Sequence, residues 1–522
     1  MSNGADWTEG YTSEVDYTMG FYRELSPLAF EFAAQLRGMQ APRVDQAFRY
    51  FEIGCGHGYS LNLHAAANPQ GTFIGNDFNP LHVANARGLA EEAELSNVTF
   101  LEKSFAELLE MEFEPFDFIA LHGVYSWITR ENRQQIVEFI RRNLRSGGAA
   151  YISYNSHPGW APVAPLRRLM TEKAAREKGS LQQRIDASIA LAEALDGAGA
   201  KYFQMIPSLK TRLGQIKGQN RNYIAHEYFN QEWNVLYHAD VVQEVNAAKL
   251  NFIGSVNVAE QFDQFAVISA QLPLLAAQPD PVLRETVKDF LMAQQFRRDL
   301  FVRGAMQIPG ALAQPRLLAQ KFVLQVPRAE CTMKVKIPIG EGNLDATVYE
   351  PLLDRLAEGP ASVSSLATRP EYQGKQIAEV YQQFAILCAV NYVLPTLPAD
   401  GEADRRRATD RFNRIVMQRA QYNSSYQFVA SPVTGTGHVV DRLDFFMHDL
   451  VGQTEEQMVK AVAAELRRAG QNLTKDGKVL SDPTDEAAEL ATRVSTFISQ
   501  RLPLQTQLGL VSARGGKQGA RR

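Results

Sequence analysis

Three glycines at alternate positions follow an acidic residue early in the chain. Glu52 precedes them by two positions, and they are Gly54, Gly56 and Gly58. Glycine lets a backbone turn tightly and approach a bound ligand where a Cβ atom would collide. Asp77 ends the next apolar run, and an acid about 20 residues beyond such a loop commonly accepts hydrogen bonds from ribose hydroxyls. The spacing therefore indicates a site for a ligand that contains a nucleoside.

Three classes of ligand use a glycine-rich turn of this kind. A phosphate-binding loop needs a lysine and then a serine or threonine after its last glycine, whereas this chain has Tyr59 and Ser60 there. A dinucleotide site has the spacing Gly-x-Gly-x-x-Gly, and the spacing here is Gly-x-Gly-x-Gly. S-adenosylmethionine (SAM) carries no phosphate. The acidic start and alternate glycines resemble the first motif of class I SAM-dependent methyltransferases; a structural turn in another α/β domain is the alternative.

That resemblance implies SAM as the methyl donor and implies contacts for each residue of the motif. The glycines would touch the methionyl and adenosyl parts of SAM, and Asp77 would hold its ribose. Glu52 would order the loop or reach the methionyl amine through water. The alternative for Glu52 is a buried carboxylate that is hydrogen-bonded to backbone amides.

The segment after the third predicted strand is expected to bind the adenine edge. Similar enzymes commonly carry an acidic residue there, and this chain has Ser104 at the matching position. We therefore expect Phe105 and Phe78 to stack on the base instead. His122, at the end of the fourth predicted strand, would offer its backbone carbonyl or its ring to SAM. The stretch over 17–22 folds over the cofactor in similar enzymes, or packs as a plain helix.

Two loops rich in aromatic and hydrogen-bonding side chains, 121–127 and 153–160, follow the fourth and fifth predicted strands. Their candidate catalytic residues are Tyr125, Tyr154, His157 and Trp160. A lysine amine must lose a proton before it attacks, and a tyrosine or histidine could relay that proton. Aromatic faces also attract an ammonium ion, by about 0.5–2 kcal/mol each. A sugar hydroxyl would need a firmer base, such as His157 or His122, so the residues leave the acceptor open.

The elements that must position these residues alternate between strands and helices. Strands are predicted over 49–53, 72–75, 97–101, 116–121 and 149–154. A helix over 134–142 is expected to end at the glycines of 146–148. This alternation predicts a doubly wound parallel α/β sheet. Ligands of such sheets bind beyond the carboxyl ends of the strands, where all the residues named above are expected to lie.

A longer resemblance rests on four short motifs. They are Ser153-Tyr154-Asn155, Pro158-Gly159-Trp160, His226-Glu227-Tyr228 and the run over 295–299. They look like those of bacterial methyltransferases that carry a methyltransferase regulatory region. Within that group, the long chain with its additional C-terminal domains resembles the rickettsial outer-membrane-protein lysine methyltransferases. The correspondence is good over residues 10–320 and loose beyond them. The resemblance implies a seven-stranded core, with strand six over 251–253 and an antiparallel strand seven over 299–302.

The chain is long enough for several domains. The prediction is a SAM-binding core over 1–160, a helical insertion over 161–237, completion of the core over 238–312, a middle domain over 313–400, a mostly helical domain over 401–513 and a disordered basic tail over 514–522. The insertion would cap the site or form a dimer contact. In the middle domain, 321–325 and 332–337 indicate a hairpin or a pair of short strands, and three helices follow. That order fits a winged-helix-like unit or a mixed packing domain. The charged run over 400–408 is a candidate linker.

Composition limits the partners. The net charge of −4 argues against a general nucleic-acid binder. Three separated cysteines form neither a metal site nor a disulfide framework, which favours a reducing compartment. The polar N-terminus is not a signal peptide, and no apolar run approaches the length of a membrane span. We expect a cytoplasmic protein without membrane insertion or metal, acting on a protein substrate, with a homodimer formed through the insertion.

The leading hypothesis is a SAM-dependent methyltransferase that modifies lysines of an envelope or surface protein. It rests on the first motif, the two aromatic loops and about 200 additional residues, a surface that suits a polypeptide substrate. The alternatives are a methyltransferase for a saccharide or other small metabolite, and a SAM-binding regulatory protein without catalysis.

Overall fold

The computed structural model describes residues 19–475, 478–480 and 482–511. The predicted basic tail over 514–522 and residues 17 and 18 of the N-terminal stretch lie outside these ranges. No helix in the described ranges is long and apolar enough to cross a membrane.

A seven-stranded sheet organises the core, in the order β3-β2-β1-β4-β5-β7-β6. Strands β1 to β5 are parallel, and β7 is antiparallel to both β5 and β6. The bounds are β1 Phe48–Ile53, β2 Gly71–Asp77, β3 Val98–Glu102, β4 Phe116–Leu121, β5 Leu144–Asn155, β6 Leu250–Ser255 and β7 Phe296–Arg303. The predicted class I methyltransferase core, including the antiparallel seventh strand, is confirmed.

Helices cover both faces of this sheet because its central strands are apolar on both sides. Tyr50 and Phe118 belong to the core on one face, and Phe51 and Ile119 belong to the core on the other. The flanking helices are α1 Pro27–Leu36, α2 Tyr59–Ala67, α3 Pro80–Glu92, α4 Phe105–Leu109 and α5 Arg130–Asn143.

A helical insertion separates β5 from β6. Its helices are α6 Ala164–Ala174, α7 Leu181–Gly197, α8 Lys201–Met205, α9 Ser208–Gly218 and α10 Arg221–Tyr228. They enclose a small hydrophobic core of their own around Trp160, Met170 and Phe203. The chain then returns to the sheet through α11 His238–Val245. Between β6 and β7 lie α12 Val258–Gln261, α13 Asp263–Ala266, α14 Leu272–Ala276 and α15 Pro281–Met292.

The region after β7 contains two small sheets. Its elements are α16 Gly310–Ala319, β8 Lys321–Leu324, β9 Lys334–Ile337, β10 Gly340–Asn343, α17 Ala346–Ala357, β11 Ala361–Ser362, α18 Val363–Ala367, α19 Ile377–Ala389 and β12 Val393–Pro395. Strand β8 pairs with β11 and β12, and β9 pairs with β10. The predicted strands over 321–325 and 332–337 therefore exist but do not form one hairpin. The winged-helix-like interpretation stays a prediction.

The C-terminal region is mostly helical. It comprises α20 Glu402–Ala420, β13 Phe428–Ala430, β14 Gly437–Val439, α21 Arg442–His448, α22 Glu455–Arg468, β15 Thr474–Lys475, β16 Lys478–Val479, α23 Pro483–Thr496 and, after a π-helical turn, α24 Leu502–Gln507. The charged run over 400–408, predicted as a linker, instead leads into α20, and residues 402–408 form the first turns of that helix. The same helix packs Phe412 and Val416 against Tyr59 and Leu63 of α2, so that it is anchored to the core.

Candidate functional site

The three glycines after β1 all adopt left-handed backbone conformations, for two different reasons. Their φ angles are 70° at Gly54, 54° at Gly56 and 67° at Gly58. A Cβ atom at Gly54 would lie 2.5 Å from Cγ2 of Val124, and one at Gly58 would lie 2.4 Å from Cβ of Ala86. At Gly56 nothing lies within 4 Å of that position. Two glycines thus permit close packing, and the middle one leaves open space for a ligand.

Asp77 fixes this loop from the end of β2. One oxygen of its carboxylate, Oδ2, accepts a hydrogen bond of 2.9 Å from the backbone N–H of Gly56. The other, Oδ1, accepts one of 2.9 Å from the N–H of Asn79 and lies 3.2 Å from Nδ1 of His82. The carboxylate is 7 % exposed and lines the same cleft as the glycines. It is therefore held rigidly where a ribose hydroxyl can reach it.

Glu52 is a buried carboxylate at the carboxyl end of β1. It is 4 % exposed, and its Oε2 atom has no hydrogen-bond partner among the described residues. Burial raises the pKa of its carboxyl to about 8, and the nearby charge of Asp77 adds to the rise. The alternative prediction, in which backbone amides donate hydrogen bonds to the Glu52 carboxylate, is therefore wrong for its Oε2 atom. An unpartnered carboxyl in a ligand cleft is suited to a cationic group.

A cleft of about 250 Å³ opens beyond the carboxyl ends of the strands. All nine residues predicted to contact the cofactor line it: Glu52, Gly54, Gly56, Gly58, Asp77, Phe78, Ser104, Phe105 and His122. The four predicted catalytic residues are not among the residues that line it. The strand ends therefore bring the nine predicted cofactor residues together in one cleft, and the four predicted catalytic residues lie outside its lining.

At one end of the cleft, Ser104 has a structural task. Its Oγ atom accepts a hydrogen bond of 3.3 Å from the N–H of Glu107, and the Glu107 carboxylate accepts one of 2.8 Å from the N–H of Ser104. This capping box starts α4 and occupies the serine side chain. Phe78 and Phe105, both half-buried, provide aromatic surface at the same end. Stacking, rather than an acidic side chain, is what this end offers to a base.

At the other end, His122 carries a neutral imidazole. Burial lowers the pKa of its ring to about 4. Its Nδ1 lies 2.9 Å from the hydroxyl of Tyr151, and its ring centroid lies 4.2 Å from that of Tyr22. The N–H of Tyr22 donates to Oγ of Ser60 at 2.9 Å, which holds the N-terminal segment against α2. Met19, Gly20 and Tyr22 consequently form a wall of the cleft.

Tyr125 and Tyr154, predicted as catalytic, are buried in the core instead. The hydroxyl of Tyr125 donates to Oε2 of Glu244 at 2.7 Å, and that of Tyr154 donates to Oδ2 of Asp299 at 2.6 Å. Arg297 completes the second group, with its Nε 3.0 Å from Asp299. Both phenols are sealed from the cleft and already paired. Their assignment to an acceptor pocket is corrected to a role in the core.

Trp160 and His157 also lie outside the cleft lining. Trp160 is 5 % exposed and packs edge-on against Tyr228 and Trp233 in the core of the insertion. His157 lies beside Tyr237, with ring centroids 4.8 Å apart, and burial lowers the pKa of its imidazole. Trp160 is thus a packing residue, and His157 is removed from the cofactor end of the site.

One wall of the cleft extends beyond the predicted loop over 121–127. After Trp127 it enters α5, and its residues that the sequence did not predict are Ile128, Thr129, Asn132 and Gln135. Thr129 caps α5 by accepting a hydrogen bond of 3.2 Å from the N–H of Asn132. Thr129 could have indicated this wall from the sequence, because a threonine before a helical pattern marks the start of a helix. The first turn of a helix that follows a parallel strand lies at the carboxyl edge of the sheet, where ligands bind. Among the described residues no group of three metal-binding side chains occurs.

Two family models match the chain. Residues 45–216 match a model described as a methyltransferase domain, and residues 220–303 match one described as a predicted methyltransferase regulatory domain. The first contains the glycine loop and the part of the cleft lining from Glu52 to Gln135; the second spans α10 to β7.

Individual relatives extend the match to nearly the whole chain. An uncharacterized protein of Synechocystis sp., sll1526, is 39% identical over 507 residues, which cover 97% of this chain and 99% of that protein. An uncharacterized protein of Rickettsia prowazekii, RP789, is 28% identical over 299 residues, or 56% of this chain and 53% of that protein.

Among solved structures, PKMT2 from Rickettsia typhi in complex with AdoHcy superposes with a TM-score of 0.70 at 18% identity. The match covers 94% of this chain and 100% of that one. At this identity the likeness establishes the fold. The two family models, together with this fold and the glycine cleft, show that the chain belongs to the class I SAM-dependent methyltransferases that carry a methyltransferase regulatory domain, and SAM is its cofactor.

Proposed function

We propose that this methyltransferase transfers the methyl group of SAM to the ε-amine of lysine side chains in a protein substrate. The observation that carries the proposal is the placement of Tyr223 on α10 within electrostatic range of Tyr22 of the cleft wall, with Glu227 about one helical turn further along. Burial chiefly raises the pKa of the Tyr223 phenol to about 12, and Tyr22 is near enough to add a small further rise. Tyr223 and Glu227 are four residues apart on a helix and share a face.

Glu227 has the chemistry that a lysine acceptor requires. It is half-buried, and burial raises the pKa of its carboxyl to about 7, against the opposing effect of Arg212. A base whose pKa lies near the working pH is suited to accept a proton from a reacting group. The ammonium of an incoming lysine would be attracted to this carboxylate and would lose its proton before attack on the methyl group.

The cleft wall supports the same acceptor. Tyr22, Trp127 and the neutral ring of His122 offer aromatic surface to the hydrocarbon part of lysine. Removal from water favours the uncharged amine, which is the nucleophilic form. Each ring facing a methylated ammonium would contribute about 0.5–2 kcal/mol. Proximity and alignment within the closed cleft would supply on the order of 7–11 kcal/mol of the barrier.

The likeness to rickettsial methyltransferases supports a macromolecular substrate. It extends over 94% of this chain, including the insertion and the C-terminal regions. We expect an envelope or surface protein as the substrate, modified in the cytoplasm, and a homodimer formed through the insertion.

The experiment incubates the purified protein with [methyl-³H]SAM and envelope proteins, followed by acid hydrolysis and amino-acid analysis. We expect the label in methyl-lysines. Substrate whose lysines have been chemically dimethylated serves as a blocked control. Label confined to glycans or low-mass material would contradict the proposal in favour of a small acceptor. Tight SAM binding without transfer to any acceptor would favour a regulatory protein.

The role of Glu227 is tested with a matched pair of variants. Glu227→Gln should lower kcat by about 10²–10⁴-fold with an unchanged Kd for SAM, because it removes a proton acceptor and no cofactor contact. Glu172→Gln is the control, since this carboxylate is an exposed partner of Arg168 on α6 of the same insertion. Equal turnover of the two variants would refute the role of Glu227.

A further inference from the structure

We propose that the protein has a second ligand site, for a small molecule that carries a phosphate or carboxylate group, and that this site is coupled to the SAM cleft. The site is a cavity of about 510 Å³ between the N-terminal segment, the region after β8 and the C-terminal region. Arg23, Gln325, Arg442 and Arg501 line it. We call it the arginine cavity. The proposal does not depend on the identity of the methyl acceptor.

In the part of the arginine cavity that the structure describes, buried donors without a hydrogen bond outnumber such acceptors, of which Oδ1 of Asp444 is one, 3.1 Å from Arg501. The Nε atoms of Arg23, Arg442 and Arg501 and the Nε2 atom of Gln325 are buried without a partner among the described residues. The Nη1 atom of Arg23 donates to Oε1 of Gln325, which leaves the amide nitrogen of that glutamine unpaired. Buried donors without acceptors are rare and costly. Four of them around one cavity indicate a ligand rich in acceptor oxygens.

Three arginines and three acids line the arginine cavity, and the placement of these charges favours an anion near Arg23 and Arg442. Arg501 lies 3.1 Å from Asp444, whereas Arg23 and Arg442 make no ion pair among the described residues. The two other acids of the lining, Glu330 and Asp441, are exposed, and Asp441 caps α21. Guanidinium groups bind phosphate and carboxylate oxygens through paired hydrogen bonds. A bound oxyanion would supply the missing acceptors and would pair with the guanidinium groups of Arg23 and Arg442, which make no ion pair among the described residues.

One connection to the SAM cleft runs through the N-terminal segment. Arg23 begins a short 3₁₀ turn, Arg23–Leu25, and directly follows Tyr22. Tyr22 packs against the His122 ring at a tilt of 34° and is hydrogen-bonded to Ser60 of the cofactor cleft. An anion that holds the Arg23 guanidinium also restricts the backbone that places Tyr22 over the cofactor.

A second connection runs through the β13–β14 hairpin. Val439 of the arginine cavity pairs with Phe428 across this hairpin. The hydroxyl of Tyr59 donates to the backbone carbonyl of Phe428 at 2.5 Å and accepts from its N–H at 3.0 Å. Tyr59 lines the SAM cleft. Two independent walls of the arginine cavity are thus joined to two tyrosines of the cofactor site.

Thermodynamic linkage makes the coupling measurable in both directions. If the anion raises the affinity for SAM by some factor, SAM raises the affinity for the anion by the same factor, typically about 5–150-fold. The full chain is titrated calorimetrically with inorganic phosphate and, separately, with citrate, against sodium chloride at matched ionic strength. The Kd for SAM is then measured with and without the saturating anion. Saturable binding of phosphate would indicate a ligand with a phosphate group, and saturable binding of citrate alone would indicate a ligand with carboxylate groups.

We expect saturable binding of at least one oxyanion and a lower Kd for SAM in its presence. Arg23→Gln and Arg442→Gln should each weaken the oxyanion by about tenfold or more, because each removes a charge-assisted hydrogen bond. Arg468→Gln is the control, since its partner Glu465 lies on the same exposed helix. Absence of saturable binding, or binding retained in both cavity variants, would overturn the site. An unchanged Kd for SAM would overturn the coupling.

Discussion

Binding of SAM should release a proton from Glu52. In the free protein the pKa of this buried carboxyl is about 8, against an ordinary value of 4.5. SAM brings a sulfonium and an ammonium into the cleft that Glu52 lines. A cation within reach favours the ionised carboxylate and lowers its pKa. Glu52 should therefore be protonated in the free protein at neutral pH and ionised in the complex.

The magnitude follows from the two pKa values. At pH 7 a group with a pKa of 8 is about 90 % protonated, so binding should release about 0.9 proton. If the complex restores a pKa near 4.5, affinity for SAM rises about tenfold per pH unit between roughly pH 5 and 8, then levels off. The raised pKa of Glu52 also affects the stability of the free protein. Protonation of Glu52 in the folded state contributes fully to the free energy of unfolding below pH 4.5, and this contribution is lost as the pH rises through 8.

Calorimetry at several pH values, in buffers of different ionisation enthalpy, measures the number of protons released. Glu52→Gln should abolish the release and flatten the pH profile. Glu110→Gln is the control, because this carboxylate is exposed beyond α4. Absence of proton release from the wild type at pH 7, or unchanged release in Glu52→Gln, would refute the assignment.

Four further substitutions separate the roles of cleft and core. Asp77→Ala should weaken SAM binding by about ten- to a hundredfold in calorimetry, since it removes a charged acceptor worth about 1.5–3 kcal/mol; an unchanged Kd would contradict its ribose role. Gly58→Ala should lower the free energy of unfolding by more than about 2 kcal/mol, because its Cβ would meet Ala86 and its φ is positive. Gly56→Ala, which meets no atom, should cost about 1–2 kcal/mol and mainly weaken SAM binding; equal destabilisation in urea would contradict the distinction. Tyr154→Phe should reduce stability by about 1–2 kcal/mol and leave kcat unchanged; a large fall in kcat of folded protein would return Tyr154 to the chemistry.

The cofactor side of the site was predictable because its signals are local. Each strand end carries its own ligand-facing residues in the few positions that follow it, as Gly54 and Asp77 do. The turn conformation required glycine at these places, and the observed φ angles explain why. Strand periodicity then brought separate motifs to one edge of the sheet, which is a property of parallel topology.

The acceptor side was not predictable in the same way. Along β5, Ser153 accepts a hydrogen bond from Gly123 at 2.9 Å, whereas its neighbour Tyr154 points to the opposite face and pairs with Asp299. A one-residue difference reverses the face of a strand, and the local pattern does not fix which residue faces the ligand. Tyr223 comes near Tyr22 only through the path of a long insertion, which no local periodicity encodes.

Charge patterns misled in the C-terminal half. The run over 400–408 is rich in acids and arginines, as linkers are, yet it begins the longest described helix, α20. Its acids Glu402 and Asp404 occupy the first turn, where they favour a helix. The apolar residues that pack α20 against α2 lie after residue 408, outside the charged run itself. The composition of the run therefore gave no sign of this packing.

A structure of the protein with AdoHcy tests the central claim most directly. The account predicts the ribose within hydrogen-bond distance of Asp77, the methionyl amine beside Glu52, and the sulfur facing Tyr22 and α10. AdoHcy bound elsewhere, with the cleft beyond Gly56 empty, would contradict it.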